Sequence, residues 1–151
     1  MEAQRAALER IDVELMGIRM APSMLPHGDR RKARILIIED EPMLAFLLEE
    51  VLVDAGFEVA GIAGRLETAL SRIESGNFDA AILDSNLAGV GTGPAATALA
   101  TRGLPFIVVS GYSTDQQPKE FSGVPSLQKP CRANLLLWTL RSVLPAFETA
   151  P

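Results

Sequence analysis

The stretch Ile35-Leu36-Ile37-Ile38-Glu39-Asp40 is an apolar run that ends in two carboxylates. Three further runs end in polar residues in a similar way: Ala-Ile-Leu-Asp at 81–84, Ile-Val-Val-Ser at 107–110 and Leu-Gln-Lys-Pro at 127–130. If these runs are neighbouring strands of one parallel sheet, their polar ends converge at its carboxyl edge. Carboxylates that attract Mg²⁺, an aspartate, a hydroxyl and an amine at one edge predict phosphoryl transfer to the aspartate.

Composition and charge exclude several classes of protein. The 151 residues, 48% hydrophobic and 22% charged, are typical of one soluble domain with a sizeable core. No apolar run approaches the roughly 20 residues that a transmembrane helix requires, and no secretory signal is evident, so we expect neither membrane insertion nor export. Cys131 is the only cysteine, which favours a cytoplasmic protein. The net charge of -5 argues against nucleic-acid binding.

The N-terminal region is predicted to be a helix followed by a linker. Residues 4–20 carry Leu8, Ile11, Leu15 and Ile18 at helical spacing. Two prolines and a glycine within residues 21–29 forbid a continuing helix. We therefore predict a helix and linker over residues 1–33, a globular domain over 34–147 and a tail over 148–151. Three roles stay open for the helix: forming a homodimer, covering the face that partners use, or remaining disordered.

From residue 34 onward, strand-like and helix-like segments alternate five times, which indicates an α/β fold with helices on both faces of a parallel sheet. The predicted strands are residues 34–39, 57–63, 78–83, 104–109 and 124–128. The predicted helices are residues 43–55, 66–75, 95–102 and 132–144. Alternating hydrophobicity suggests that the second strand lies at an edge, whereas the third is apolar enough to be buried on both faces. Residues 113–121 should hold at most a short helix, because Pro118 can interrupt one.

The carboxylates at the strand ends predict a metal site. Glu39, Asp40 and Asp84 should meet in one pocket, because they follow the first and third strands. Three close carboxylates repel each other, and a hard cation such as Mg²⁺ relieves that repulsion. Taken alone, Glu39 and Asp40 would be explained better by the favourable dipole at a helix N-terminus. Asp84 changes the balance, since a charge at the end of a buried strand needs a partner or a metal.

Asp84 is also the nucleophile that the sequence favours. Phosphoryl transfer depends on in-line positioning and on cations that neutralise the phosphoryl oxygens, which Mg²⁺ and Lys129 can supply. Ser110 is expected to hydrogen-bond one phosphoryl oxygen, and its reorientation offers a local switch. Individually, Ser110 and Lys129 would be ordinary loop and surface residues. Only their joint placement at the strand ends favours a catalytic role.

These motifs resemble those of response-regulator receiver domains of two-component signalling, from residue 34 to about residue 147. Glu39 and Asp40 match the acidic pair of that family, Asp84 matches its phosphoacceptor, Ser110 its switch position and Lys129 its lysine before proline. The resemblance implies a flavodoxin-like, doubly wound sheet of five parallel strands in the order 2-1-3-4-5. In this chain an N-terminal helical extension would precede that fold.

The resemblance also implies which residues bind Mg²⁺, and it extends to one subfamily of receivers. Mg²⁺ would be held by Asp40, Asp84 and the backbone carbonyl of Asn86, with Glu39 acting through water. Asn86 lies two residues after Asp84, close enough to influence a water that attacks the phosphoryl group. The Asp-Ser-Asn-Leu-Ala-Gly sequence at 84–89 and the Ser-Gly-Tyr sequence at 110–112 are similar to motifs of the FAT GUY receivers of alphaproteobacteria.

Two positions bear on how a phosphoryl group would be reported. Ser126 stands where receivers usually have an aromatic residue, and its side chain is too small to act as a rotamer switch. Tyr112 is therefore expected to take the switch role. The alternative is that Tyr112 is a partly buried tyrosine that anchors its loop.

The resemblance implies a non-enzymatic, single-domain response regulator. It would accept a phosphoryl group on Asp84 from a histidine kinase and signal through contacts with a downstream protein or phosphotransferase, as a switch, a phosphate sink or a relay shuttle. One alternative is a Mg²⁺-dependent phosphohydrolase with an aspartyl nucleophile, but Asn86 stands where such enzymes usually place an acid, which counts against turnover. The other is an interaction scaffold that works without phosphorylation.

Overall fold

The computed structural model describes residues 31–111 and 117–145, in which strands alternate with helices. The strands are β1 Arg34–Ile38, β2 Glu58–Ala63, β3 Ala80–Asp84, β4 Asn86–Leu87, β5 Val90–Gly91, β6 Phe106–Ser110 and β7 Ser126–Gln128. The α-helices are α1 Pro42–Asp54, α2 Leu66–Ser75, α3 Gly93–Thr101 and α4 Ala133–Val143. A short 3₁₀ helix spans Lys119–Phe121.

Five parallel strands form the main sheet, in the order β2-β1-β3-β6-β7. Counted within this sheet alone, the order is 2-1-3-4-5, so the predicted α/β fold and strand order are confirmed. β2 is an edge strand, and only one of its six residues is buried, whereas all five residues of β3 are buried. Both placements agree with the hydrophobic patterns of these strands.

The strands β4 and β5 form a small antiparallel hairpin that the sequence did not predict. Each strand has two residues, which is too short to show a period in hydrophobicity. The turn between them holds Ala88 at φ 52° and Gly89 at φ 89°. Positive φ at both central residues is what a tight two-residue hairpin requires. The segment directly after β3 is therefore an ordered hairpin.

Alternate side chains of the central strands build two separate cores. Ile35 and Ile37 point to the face covered by α1 and α4, while Leu36 and Ile38 point to the face covered by α2 and α3. All four side chains are at most 1% exposed. Because fully burying one such aliphatic side chain contributes about 1.5–3 kcal/mol, these two layers fix the sheet between its helices.

The helix ends follow local sequence chemistry. Pro42 occupies the first turn of α1, where its missing N–H costs no intrahelical bond. Gly76 ends α2 in the left-handed conformation at φ 68°. The third helix begins at Gly93, two residues earlier than predicted, because Pro94 is also tolerated in a first turn.

Several predictions lie outside the described residues. They are the N-terminal helix over 4–20 with most of its linker, the tail over 148–151, and Tyr112 with the first part of the segment 113–121, which was predicted to hold at most a short helix. The predicted domain limits of 34 and 147 stay predictions. Among the described residues, none of the helices has the length and hydrophobicity needed to span a membrane.

Candidate functional site

The polar residues that follow the parallel strands meet at the carboxyl edge of the main sheet. β1 pairs with β3, β3 with β6 and β6 with β7, so the ends of these strands stand side by side. Glu39 follows β1, Asp84 ends β3, Ser110 ends β6 and Lys129 follows β7. The convergence inferred from the sequence is therefore present in the structure.

Three carboxylates form an acidic cluster at this edge. Glu39, Asp40 and Asp84 each offer one oxygen, and these oxygens lie within 4.8 Å of one another. Glu39 is only 4% exposed and Asp84 only 6%. Burial, together with the neighbouring Asp84 carboxylate, raises the pKa of Glu39 to about 8, although the Lys129 ammonium acts in the opposite direction. Simultaneous ionisation of all three carboxylates is thus disfavoured by the protein groups around them.

The Lys129 ammonium lies between two of these carboxylates. Its Nζ donates to Oδ2 of Asp84 at 2.9 Å and lies 3.3 Å from both carboxylate oxygens of Glu39. Burial alone would lower the pKa of Lys129, but the hydrogen bond and charge of Asp84, with those of Glu39, outweigh burial and raise it. The backbone N–H of Lys129 donates to the Ser110 carbonyl at 2.7 Å, which fixes where the side chain begins.

Ser110 is fully buried, and its hydroxyl lies 2.7 Å from the hydroxyl of Ser85. Ser85 directly follows Asp84 and is itself 7% exposed. Sequence reasoning missed Ser85, because a serine after a strand is common and only its position beside Asp84 could have drawn attention to it. The predicted switch hydroxyl is therefore hydrogen-bonded to the residue that adjoins the predicted phosphoacceptor.

The loop after β3 is tied to Asp84 by backbone and side-chain hydrogen bonds. The Thr92 hydroxyl donates to the Asp84 carbonyl at 2.6 Å, and the Asn86 N–H donates to Oδ1 of Asp84 at 3.2 Å. The side-chain oxygen of Asn86 accepts from the Gly89 N–H at 2.7 Å and thus helps to close the hairpin turn. Thr92, which is fully buried, is a second site residue that the sequence did not single out.

The donor set of the cluster suits a hard divalent cation. Carboxylate oxygens are preferred ligands of Mg²⁺, which binds through one or two carboxylates and retains several waters. The acidic cluster offers three such oxygens within 4.8 Å of one another, and the Glu39 and Asp84 carboxylates are buried. The residues present therefore fit Mg²⁺.

Comparison with known protein families gives a match to the response regulator receiver domain over residues 35–141. The chain belongs to the response regulator receiver family. It is 39% identical to SdrG from Sphingomonas melonis Fr1, known from a solution structure, over 74% of this chain and 96% of SdrG, with a TM-score of 0.66. The comparison with curated proteins found no match.

Two other receiver structures are similar over the same share of the chain. The BeF₃-activated conformation of SdrG from Pseudomonas melonis Fr1 is 40% identical, with 74% of this chain and 96% of that one covered and a TM-score of 0.64. A CheY-like receiver from Methanospirillum hungatei JF-1 is 25% identical, with 74% and 93% covered and a TM-score of 0.66. The receiver fold of this chain is thus shown by the family match and by the similar structures together.

Proposed function

We propose that this receiver accepts a phosphoryl group on Asp84 from a histidine kinase, in a reaction that requires Mg²⁺, and then signals through contacts with a protein partner in the cytoplasm. The observation that carries the proposal is the environment of Asp84. Its carboxylate is buried, yet it lies 2.9 Å from the Lys129 ammonium and beside the carboxylates of Glu39 and Asp40. A nucleophilic oxygen, a cation and a metal-binding cluster thus share one pocket.

The chemistry follows from this arrangement. A carboxylate oxygen of Asp84 forms a bond to phosphorus while the bond from phosphorus to the donor breaks, and the donor leaves with that electron pair. Asp40, Asp84 and the Asn86 carbonyl would hold Mg²⁺, with Glu39 acting through water, and the bound cation would neutralise phosphoryl oxygens. Lys129 is placed to contribute a second positive charge.

Ser110 is the residue that we expect to sense the product. Its hydroxyl lies at the end of β6, next to the end of β3 that carries Asp84. A phosphoryl group on Asp84 adds strong acceptor oxygens, so the Ser110 hydroxyl gains a charged partner in place of a neutral one. Tyr112, two residues further on, remains the proposed reporter of that change, as it was from sequence.

The test is a reaction of the full chain with acetyl phosphate and Mg²⁺, followed by intact mass. We expect an adduct with the mass of one phosphoryl group, which is absent from Asp84→Asn and from a sample treated with a chelator. Asp54→Asn is the matched control, because Asp54 is an exposed aspartate on α1 and its loss should leave the adduct unchanged.

The same experiment separates the two alternatives. A Mg²⁺-dependent phosphohydrolase would release inorganic phosphate over many turnovers without accumulating the adduct. A scaffold that works without phosphorylation would show neither adduct nor phosphate release. Either result would overturn the phosphoacceptor proposal.

A further inference from the structure

A groove that encloses a cavity of about 450 Å³ opens between α1 and α4, on the face of the sheet that these two helices cover. Ile82 and Val109 contribute from the sheet, and one end of the cavity reaches Asp84 and Lys129. The remaining lining is largely aliphatic and includes Leu44, Leu47, Leu48, Val51 and Leu136. A cavity of about 150 Å³ accommodates benzene, so this one has room for several aliphatic side chains.

The mouth of this cavity leaves apolar surface in contact with water. Leu47, which lines the cavity on the α1 side, is 47% exposed. Such exposure is unfavourable beside an open apolar groove, because transferring apolar surface out of water is the main driving force for association. The groove therefore suits an occupant with a row of aliphatic side chains.

The described chain begins on the same side of the sheet. Ala33 is 2% exposed and packs in the core that α1 and α4 share. Just before it, the Arg31 guanidinium makes two hydrogen bonds of 2.6 Å to the Asp79 carboxylate, which anchors the chain near the amino end of β3. The described part of the chain thus begins on the face that carries the groove, at the opposite end of the strands.

The preceding segment is long enough to reach the groove. The five residues of β1 span about 17 Å at the usual rise of a strand. Residues 21–30, if extended, span up to about 33 Å, which covers that distance. As a helix, residues 4–20 would be about 25 Å long, comparable with the roughly 20 Å of α1.

We propose that residues 4–20 pack as a helix into the groove between α1 and α4, within the same molecule. Leu8, Ile11, Leu15 and Ile18 form one aliphatic stripe along that helix, which matches the aliphatic lining of the groove. Three arginines and three acidic residues lie among residues 4–20, so no net charge opposes docking. The inference concerns a surface of this chain and holds whether or not Asp84 accepts a phosphoryl group.

Cys131 makes the proposal measurable in the intact protein. It is the only cysteine of the chain, it is half-buried, and it lines the groove. A docked helix would shield its thiol from a maleimide reagent. We expect Leu15→Asp to label about tenfold faster than the native chain at constant pH, because a charge in the stripe opposes docking. The rate of maleimide labelling is measured by intact mass.

Two matched controls distinguish docking from general disturbance. Val13 lies on the opposite side of the predicted helix, so Val13→Asp introduces the same charge and should label at the native rate. On the groove, Leu47→Glu should accelerate labelling, whereas Phe46→Glu should not, because Phe46 is 52% exposed and does not line the cavity. Since Leu47 and Phe46 are both on the surface, neither change should unfold the domain.

Each outcome decides the proposal. The proposal is supported if Leu15→Asp and Leu47→Glu label faster than the native chain, the two control variants do not, and the rates are independent of protein concentration. Equal rates in all five proteins, or acceleration by Val13→Asp as well, would overturn it. A native rate that rises on dilution would show that the groove is covered by a second copy, which overturns docking within one molecule. Protection of the Cys131 thiol that appears only after another protein is added would also overturn docking within one molecule.

Discussion

The Ser85 and Ser110 hydroxyl oxygens lie 2.7 Å apart across the ends of β3 and β6. Both side chains are buried, and Ser85 adjoins the proposed phosphoacceptor Asp84. Either hydroxyl can be the donor of this bond; when Ser110 is the donor, its hydroxyl must turn away from Ser85 before it can donate to a phosphoryl oxygen. The hydrogen bond between Ser85 and Ser110 thus opposes any switch at Ser110. The free-energy cost of breaking it is that of one hydrogen bond, about 0.5–1.5 kcal/mol.

Removing the Ser85 hydroxyl should therefore make the site easier to activate. We expect Ser85→Ala to lower the free energy of unfolding by about 1 kcal/mol, because the bond to Ser110 is lost. Beryllofluoride with Mg²⁺, as a phosphoryl mimic, should then stabilise the variant more than the native protein. Urea unfolding with and without the mimic measures both effects. Ser122→Ala, at an exposed serine, is the control, and equal stabilisation of all three proteins would contradict the competition between partners.

Lys129 should be the main counter-charge of the acidic cluster when Mg²⁺ is not bound. Its Nζ is 2.9 Å from Asp84 and 3.3 Å from Glu39, and both carboxylates are buried. Replacing one partner of such a group leaves the others without compensation, which costs more than the contact itself contributes. Since the Lys129 side chain is 29% exposed, we expect Lys129→Met to lose only about 1–3 kcal/mol of stability without Mg²⁺.

Mg²⁺ should recover much of that loss. A cation that binds only the folded state stabilises it in proportion to its affinity, and the variant offers an acidic cluster without a competing ammonium. The increase in thermal midpoint on adding Mg²⁺ is therefore expected to be larger for Lys129→Met than for the native protein. Lys119→Met removes an exposed lysine and serves as the control. Equal increases in all three proteins would show that Lys129 and the cation do not share one site.

The meeting of Asp84 with Lys129 could be predicted from the sequence for a simple reason. The central strands are continuous apolar runs, and the carboxyl ends of parallel strands must lie at one edge, so polar residues at those ends are brought together by backbone geometry alone. The strand order followed from family resemblance rather than from periodicity. The acidic cluster could also be predicted without side-chain detail, because Glu39 follows β1 and Asp84 ends the adjacent strand β3.

Other features depend on distances that the sequence does not encode locally. The bond between Ser85 and Ser110 joins side chains on two strands, and it requires a rotamer as well as a register. The same holds for Thr92, whose hydroxyl reaches the Asp84 carbonyl only because the β4–β5 hairpin folds back. The cavity between α1 and α4 depends on the spacing of two helices, which a stripe of leucines in either helix does not fix.

Asp79 provides a test of electrostatic anchoring far from the acidic cluster. Its carboxylate accepts two hydrogen bonds of 2.6 Å from the Arg31 guanidinium and one of 2.7 Å from the Arg34 N–H. The hydrogen bonds from Arg31 and the bond from Arg34 lower the pKa of Asp79 below its ordinary value, although partial burial opposes them. The ionised form is therefore favoured by folding.

A depressed pKa in the folded state contributes stability that is present above the unfolded pKa and is lost as the pH falls through the folded pKa. We expect Asp79→Asn to be less stable than the native protein by about 1–2 kcal/mol at neutral pH, because Arg31 is more than half exposed and its pair is partly screened. Urea unfolding should show this gap closing below about pH 4. A stability difference that persists below about pH 4 would mean that the contribution of Asp79 comes from packing rather than from its charge. The exposed Asp54→Asn variant should differ from the native protein by less than about 0.5 kcal/mol throughout.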